Sequence, residues 1–80
     1  MGPMKITVYS TPTCPFCKQT KAFLLEHKID FTDTDVMSDQ EKAREMIQKS
    51  GQMGVPVTDI DGQIVIGFDQ KKLKELLMIK

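Results

Sequence analysis

The sequence predicts one α/β domain, a four-stranded mixed sheet with three flanking helices. Two observations lead there. Runs rich in β-branched and aromatic residues alternate with runs of helical periodicity, and the Asp61-Gly62 pair between two short apolar runs is a strong hairpin signal. With 80 residues the chain is near the lower end of what folds unaided, so its core must be compact.

Taken in order, residues 4–10 (MKITVYS) read as a first strand with Ile6 and Val8 on one face. Thr11-Pro12-Thr13 breaks it. From Pro15 to about Lys28 the pattern is helical, with Ala22, Phe23 and Leu25 near helical spacing and Pro15 suited to the first helical position. Residues 29–36 (IDFTDTDV) alternate and read as a second strand. Ser38 with Glu41 three residues on forms a capping box, opening a helix that Gly51 ends. Residues 55–60 and 63–68 are short strands joined at Asp61-Gly62. Asp69 caps a last amphipathic helix in which Leu73, Leu76, Leu77 and Met78 face inward. Tyr9 and Phe31 belong to the core, and the methionines read as gap-fillers and starts. Met1-Gly2-Pro3 reads as a remnant ahead of a natural start at Met4, leaving residues 4–80 as the domain.

The order is thus βαβ, α, β-hairpin, α. A strand–helix–strand crossover makes the first two strands parallel, and the hairpin strands are antiparallel to each other. A ligand then sits beyond the carboxyl end of the first strand, where Cys14 falls.

Composition excludes several classes of function. Acidic and basic residues balance at eleven each, so net charge draws the chain neither to nucleic acid nor to an anionic membrane. No apolar run approaches the ~20 residues of a membrane span, and with no export signal in view the expected compartment is the cytoplasm.

Cys14 and Cys17, the two cysteines of the chain, are two residues apart. A bridge between them closes too short a loop to stabilise the fold much. A structural zinc site needs four ligands, and the single histidine, His27, lies roughly 20 Å along the helix from Cys14. A redox pair remains. Cys14 stands just before the first helical turn, where free N–H groups and the helix dipole favour negative charge. Cys17 lies one turn deeper, more buried and harder to ionise. That asymmetry makes Cys14 the attacking thiolate and Cys17 the thiol that resolves the mixed disulfide. Between them, Pro15 fixes the backbone and offers no N–H, and Phe16 either faces substrate or covers the helix start. Pro56, in GVPV at residues 54–57, either opens a strand in the ordinary way or follows a cis bond that turns the main chain of Val55 towards Cys14.

The motifs VYSTPTCPFC (8–17), GVPV (54–57) and DGQIVIGFD (61–69), in this order, resemble the glutaredoxin branch of the thioredoxin superfamily, over essentially Met4 to Lys80. The resemblance implies a minimal thioredoxin fold and thiol–disulfide exchange. It also implies Cys14 as nucleophile, Cys17 as resolving thiol and Pro56 in cis; too few ligands for a metal site leave no bound cofactor or metal expected. Thioredoxin proper is the poorer match, since no Trp precedes Cys14 and the leading strand–helix unit is missing. Substrate or glutathione contacts would fall to Thr11, Val55, Pro56, Gly67, Phe68 and Asp69, with glutathione as co-substrate, although Phe68 also reads as a core residue. Thr11 stands where glutathione-using members usually carry a Lys, Gly54 replaces a Thr, and Gly67-Phe68-Asp69 replaces a double glycine. The Gly-Phe pair looks instead like redoxins that draw on thioredoxin reductase and serve ribonucleotide reductase. A third reading is a non-catalytic module that binds an iron–sulfur cluster or a partner. Expected partners are disulfide-containing proteins with glutathione or thioredoxin reductase as reductant, and the expected state is a monomer, with no nucleic acid or membrane bound.

Overall fold

The computed structural model describes residues 5–78. Met1 to Met4, and with them the expected remnant and start, lie outside the described residues. Strand β1 (Ile6–Ser10) leads into helix α1 (Pro15–Glu26) and strand β2 (Thr32–Asp35). Helix α2 (Gln40–Ser50), strands β3 (Val57–Ile60) and β4 (Gln63–Ile66), and helix α3 (Gln70–Leu77) follow. The sheet order is β2-β1-β3-β4, with β1 parallel to β2 and antiparallel to β3, and β3 antiparallel to β4. The expected mixed sheet and three helices are present.

Alternation along β1 divides the molecule into two layers. Ile6 and Val8 face α1 and α3, in a core with Phe23, Leu24, Ile60, Val65 and Leu73. Tyr9 faces the other way, packing with Met46 of α2 and with Val57. On that side the Tyr9 hydroxyl donates to Glu45 Oε2 at 2.7 Å and accepts from Lys49 Nζ at 3.0 Å, while Lys49 also donates to Asp59 Oδ2 at 2.8 Å. These bonds tie α2 to the sheet. They also hold the Lys49 ammonium in its charged form, through Asp59 first and then Tyr9.

Several boundaries differ from expectation, each for a local reason. Helix α1 stops at Glu26, because Lys28 takes a left-handed conformation (φ 58°). Lys28 N–H then bonds Leu25 O and Ile29 N–H bonds Leu24 O, the paired bonds of a Schellman ending made without glycine. That exit uses residues 27–31 and shortens β2 to four residues. The inward face of α1 is Cys17, Thr20, Phe23 and Leu24, so Leu25, one of the apolar residues whose spacing pointed to a helix, is 66% exposed.

Helix α2 is capped by Asp39, whose Oδ1 accepts from Lys42 N–H at 3.2 Å, and not by Ser38. The Ser38 hydroxyl is drawn instead to Asp35 Oδ2 at 2.9 Å, so the expected Ser38–Glu41 box does not form. Gly51 ends α2 at φ 74°, as expected. Strand β3 begins after the Val55–Pro56 peptide, which is cis, and β4 ends where Gly67 turns at φ 74°. Asp69 caps α3 by accepting from Lys72 N–H. Met78 lies past the end of that helix in a left-handed conformation and is 82% exposed, not inward.

Leu24 and Leu25 therefore give a sharp contrast. Leu24→Ala should cost about 3 kcal/mol and Leu25→Ala less than about 0.5 kcal/mol in urea unfolding. Equal losses would contradict this orientation of α1.

Candidate active site

A three-residue loop carries the chain from the end of β1 to Cys14 at the head of α1. Cys14 N–H bonds Thr11 O at 3.4 Å to close that loop. Cys14 is the N-cap of α1, with extended backbone (φ −86°, ψ 114°), and its sulfur accepts the Cys17 N–H at 3.2 Å. A sulfur thus fills the place usually held by a Ser or Asp oxygen. Pro15 follows at the first helical position, where a missing N–H costs nothing. The first turn of α1 holds no acidic residue to oppose an anion at its head.

The Cys14 thiol also points to Val55 O, 3.8 Å away. Val55 precedes the cis bond to Pro56, and Pro56 O accepts Gly67 N–H at 2.8 Å. Thr11, Val55, Pro56 and Gly67 are thereby gathered with Cys14 at one end of the sheet. Phe16 is 56% exposed beside them, facing solvent rather than covering the helix start.

The two thiols are free and unlike in environment: Cys14 is half-buried and Cys17 fully buried. Burial pushes the Cys17 thiol up to about 11, helped by its hydrogen bond with Cys14. A backbone hydrogen bond from Thr11 and the charge of Lys21 act in the opposite direction.

Two of the sequence-derived contacts are occupied structurally. The Phe68 ring packs edge-on against Phe23, centroids 6.0 Å apart, and so contributes to the core. The Asp69 carboxylate is engaged in capping α3. His27 lies at the far end of α1, its ring 4.5 Å from that of Phe23. Among the described residues no three side chains are grouped to hold a metal ion. A groove of about 440 Å³ lies on the opposite face, under α2, but Lys42, Glu45, Lys49 and Asp59 in its wall are already paired with one another.

Sequence reasoning missed a polar chain one helical turn beyond Cys17. Lys21 Nζ donates to Asp33 Oδ2 at 3.1 Å, and the buried Ser10 hydroxyl donates to Asp33 Oδ1 at 2.8 Å. The one signal in the sequence was spacing, since Lys21 follows Cys17 by four residues and shares its side of the helix.

Comparison with known proteins agrees with this geometry. A family model described as glutaredoxin matches residues 6–65. The chain belongs to the glutaredoxin family. It is 47% identical over 72 residues to an uncharacterised glutaredoxin-like 8.6 kDa protein of Clostridium pasteurianum encoded in a rubredoxin operon, covering 90% of this chain and 96% of that one. Its fold is similar to the crystal structure of a point mutant of the thioredoxin-like protein BC3987, with TM-score 0.90, 34% identity, and 95% and 97% of the two chains covered. It is also similar to the NrdH-redoxin of Escherichia coli, described as a glutaredoxin-like protein with a thioredoxin-like activity profile (TM-score 0.82, 26% identity, 91% and 95% covered). The protein is thus a glutaredoxin-like redox protein with the thioredoxin fold.

Burial of a neutral Cys17 sets a pH dependence for this glutaredoxin. The ordinary value of 9.0 holds for the unfolded chain, which releases the proton before the folded one does. The stability that the neutral thiol confers is complete below pH 9.0 and is lost as pH rises towards about 11. Denaturant titrations of the reduced protein across that window should show a loss that Cys17→Ala lacks. Parallel curves would reject a buried neutral thiol.

Proposed function

We propose that this glutaredoxin-like chain is a thiol–disulfide oxidoreductase, an electron carrier that reduces protein or glutathione mixed disulfides by a dithiol mechanism. The Cys14 thiolate attacks a substrate disulfide. A Cys14–substrate S–S bond forms, the substrate's own S–S bond breaks, and the departing thiolate takes up a proton. Cys17, deprotonated, then attacks the Cys14 sulfur. The Cys14–Cys17 disulfide forms and the second substrate thiolate leaves, so that two electrons have passed to the substrate. An external reductant returns two electrons to the pair.

One observation supports this reading above the others. The Cys14 sulfur sits at the head of α1, on a half-buried residue and bonded by the Cys17 N–H, with Cys17 fully buried one turn deeper. The Val55 carbonyl beside it offers main-chain pairing to an extended substrate segment. Val55, Pro56 and Gly67 are read as substrate contacts, with Thr11 and Phe16 at the rim. The carrier is read as a cytoplasmic monomer. No helix among the described residues is long and apolar enough to cross a membrane.

The test is a trap. Cys17→Ser treated with glutathione disulfide should gain one glutathione, located on Cys14 by peptide mass, and Cys14→Ser should gain none there and lose turnover. An unmodified Cys17→Ser protein would overturn the cycle.

A second reading concerns the reductant. The lack of a cation at Thr11, the use of Asp69 as a cap and of Phe68 as core, and the similarity to the NrdH-redoxin favour resetting by thioredoxin reductase, with ribonucleotide reductase downstream. Oxidised protein offered glutathione with its reductase, or thioredoxin reductase, separates the two. The glutathione reading expects the first system to be faster by about tenfold or more, and the redoxin reading expects the reverse.

A further inference from the structure

Cys17 must lose its proton in order to resolve the mixed disulfide, yet it is fully buried between α1 and the sheet. The side chains around it are unequal to that task. Leu24 and Thr20 continue the buried stripe of α1, with the Thr20 hydroxyl donating to Phe16 O at 3.0 Å. Strand β3 turns Thr58 into this layer, and α3 turns Leu73. Neither ionises. Cys14 and Lys21 are the ionisable groups of α1 on this side. From β2, Asp33 and Asp35 face Lys21.

We propose that Lys21 is a positioning residue for the resolving step: its ammonium, one helical turn from Cys17 and oriented by an Asp33 that Ser10 also holds, favours the thiolate that Cys17 must become. Three features of the geometry carry this. Lys21 is one helical turn beyond Cys17 on the same side of α1, where side chains four apart are neighbours. It is three-quarters buried, with 24% of the side chain exposed, so its charge is only partly screened. Its direction is set by the bonds to Asp33 at 3.1 Å and from Ser10 to Asp33 at 2.8 Å, which turn it towards β2 and the half-exposed Asp33 carboxylate.

The timing matters. In the dithiol, the hydrogen bond with Cys14 adds to burial in keeping Cys17 neutral. Once Cys14 is tied up in a mixed disulfide, that contribution falls away. Burial is then opposed by Lys21 and the Thr11 backbone. The cation thus assists Cys17 at the stage when it has to react. This inference rests on the dithiol cycle proposed above.

A bis(nitrobenzoate) disulfide that releases a coloured thiolate resolves the two steps in one stopped-flow trace. The first thiolate appears when the Cys14–probe bond forms and the probe's S–S bond breaks. The second appears when Cys17 attacks Cys14, the Cys14–Cys17 bond forms, and the Cys17 proton passes to buffer. Lys21→Met should leave the first phase within about twofold. It should move the pH midpoint of the second phase up by about half a unit to one unit. At neutral pH the second phase should slow by about two- to threefold, less than the loss of thiolate, because a more basic thiolate is a better nucleophile. Lys21→Arg should restore both. An unchanged pH midpoint in Lys21→Met, or a Lys21→Arg protein as impaired as Lys21→Met, overturns the role of the charge. A wild-type trace lacking the first phase would overturn the dithiol cycle itself, and this inference with it.

Discussion

The hydrogen bond from the Cys17 N–H to the Cys14 sulfur serves structure and chemistry together. As an N-cap bond it satisfies one of the donors left free at the start of α1, and so fixes where the helix begins. As a contact to sulfur it places a donor on the atom whose anion would react. Cys14 stands at the open mouth of the first turn of α1, half-buried, and Cys17 lies one turn deeper, fully buried against the sheet. The difference in exposure between the thiols therefore comes from depth along α1 rather than from opposite helix faces. It also sets the rotation of α1, which continues inward through Thr20, Phe23 and Leu24 and brings Lys21 to the edge of the buried layer.

Strand β1 couples this end of the molecule to the rest. Its side chains alternate, so Ser10 reaches Asp33 in the layer beneath α1 while Tyr9, one residue earlier, anchors α2 on the opposite face. A shift of one residue in its pairing would exchange the two. Tyr9 would lose Glu45 and Lys49, and Asp33 would lose its hydroxyl donor. The register that pairs Ser10 with Asp35 and Tyr9 with Val57 thus serves both faces at once. The larger of these networks, around Lys49, is committed to holding α2 and contains no thiol.

Much of this was legible in the residues. Asp61-Gly62 announced the hairpin, and both residues take the positive φ (50° and 92°) that the turn requires. Gly51 and Asp69 marked helix ends by rules that need only local chemistry. Cys14-Pro15-Phe16-Cys17 placed the thiols, and the family resemblance anticipated the cis Val55–Pro56 bond. The misreadings have a common physical origin in competition from residues distant in space or hidden from local rules. Ser38 was a sound cap until Asp35 took its hydroxyl. Lys28 gave no sign of a left-handed ending that glycine would have advertised. Leu25 and Leu24 differ only in which side of the helix meets the sheet, and that depends on Cys17 being inside. The Lys21–Asp33–Ser10 chain joins three elements, so spacing along α1 points to Lys21 but not to its partners on β2 and β1.

The hairpin gives the molecule a direction. Gly62 N–H is held by Asp59 Oδ1 at 2.7 Å, and Asp61 N–H by Lys5 O at 3.0 Å, so the tip is braced against the start of β1. Since β3 runs antiparallel to β1, this tip and the sulfur atoms occupy opposite poles. The hairpin pole is then the natural handle for a fluorescent tag, a fused domain or an electrode linker. Attached there, the carrier would stand with its reactive pole turned away from the support.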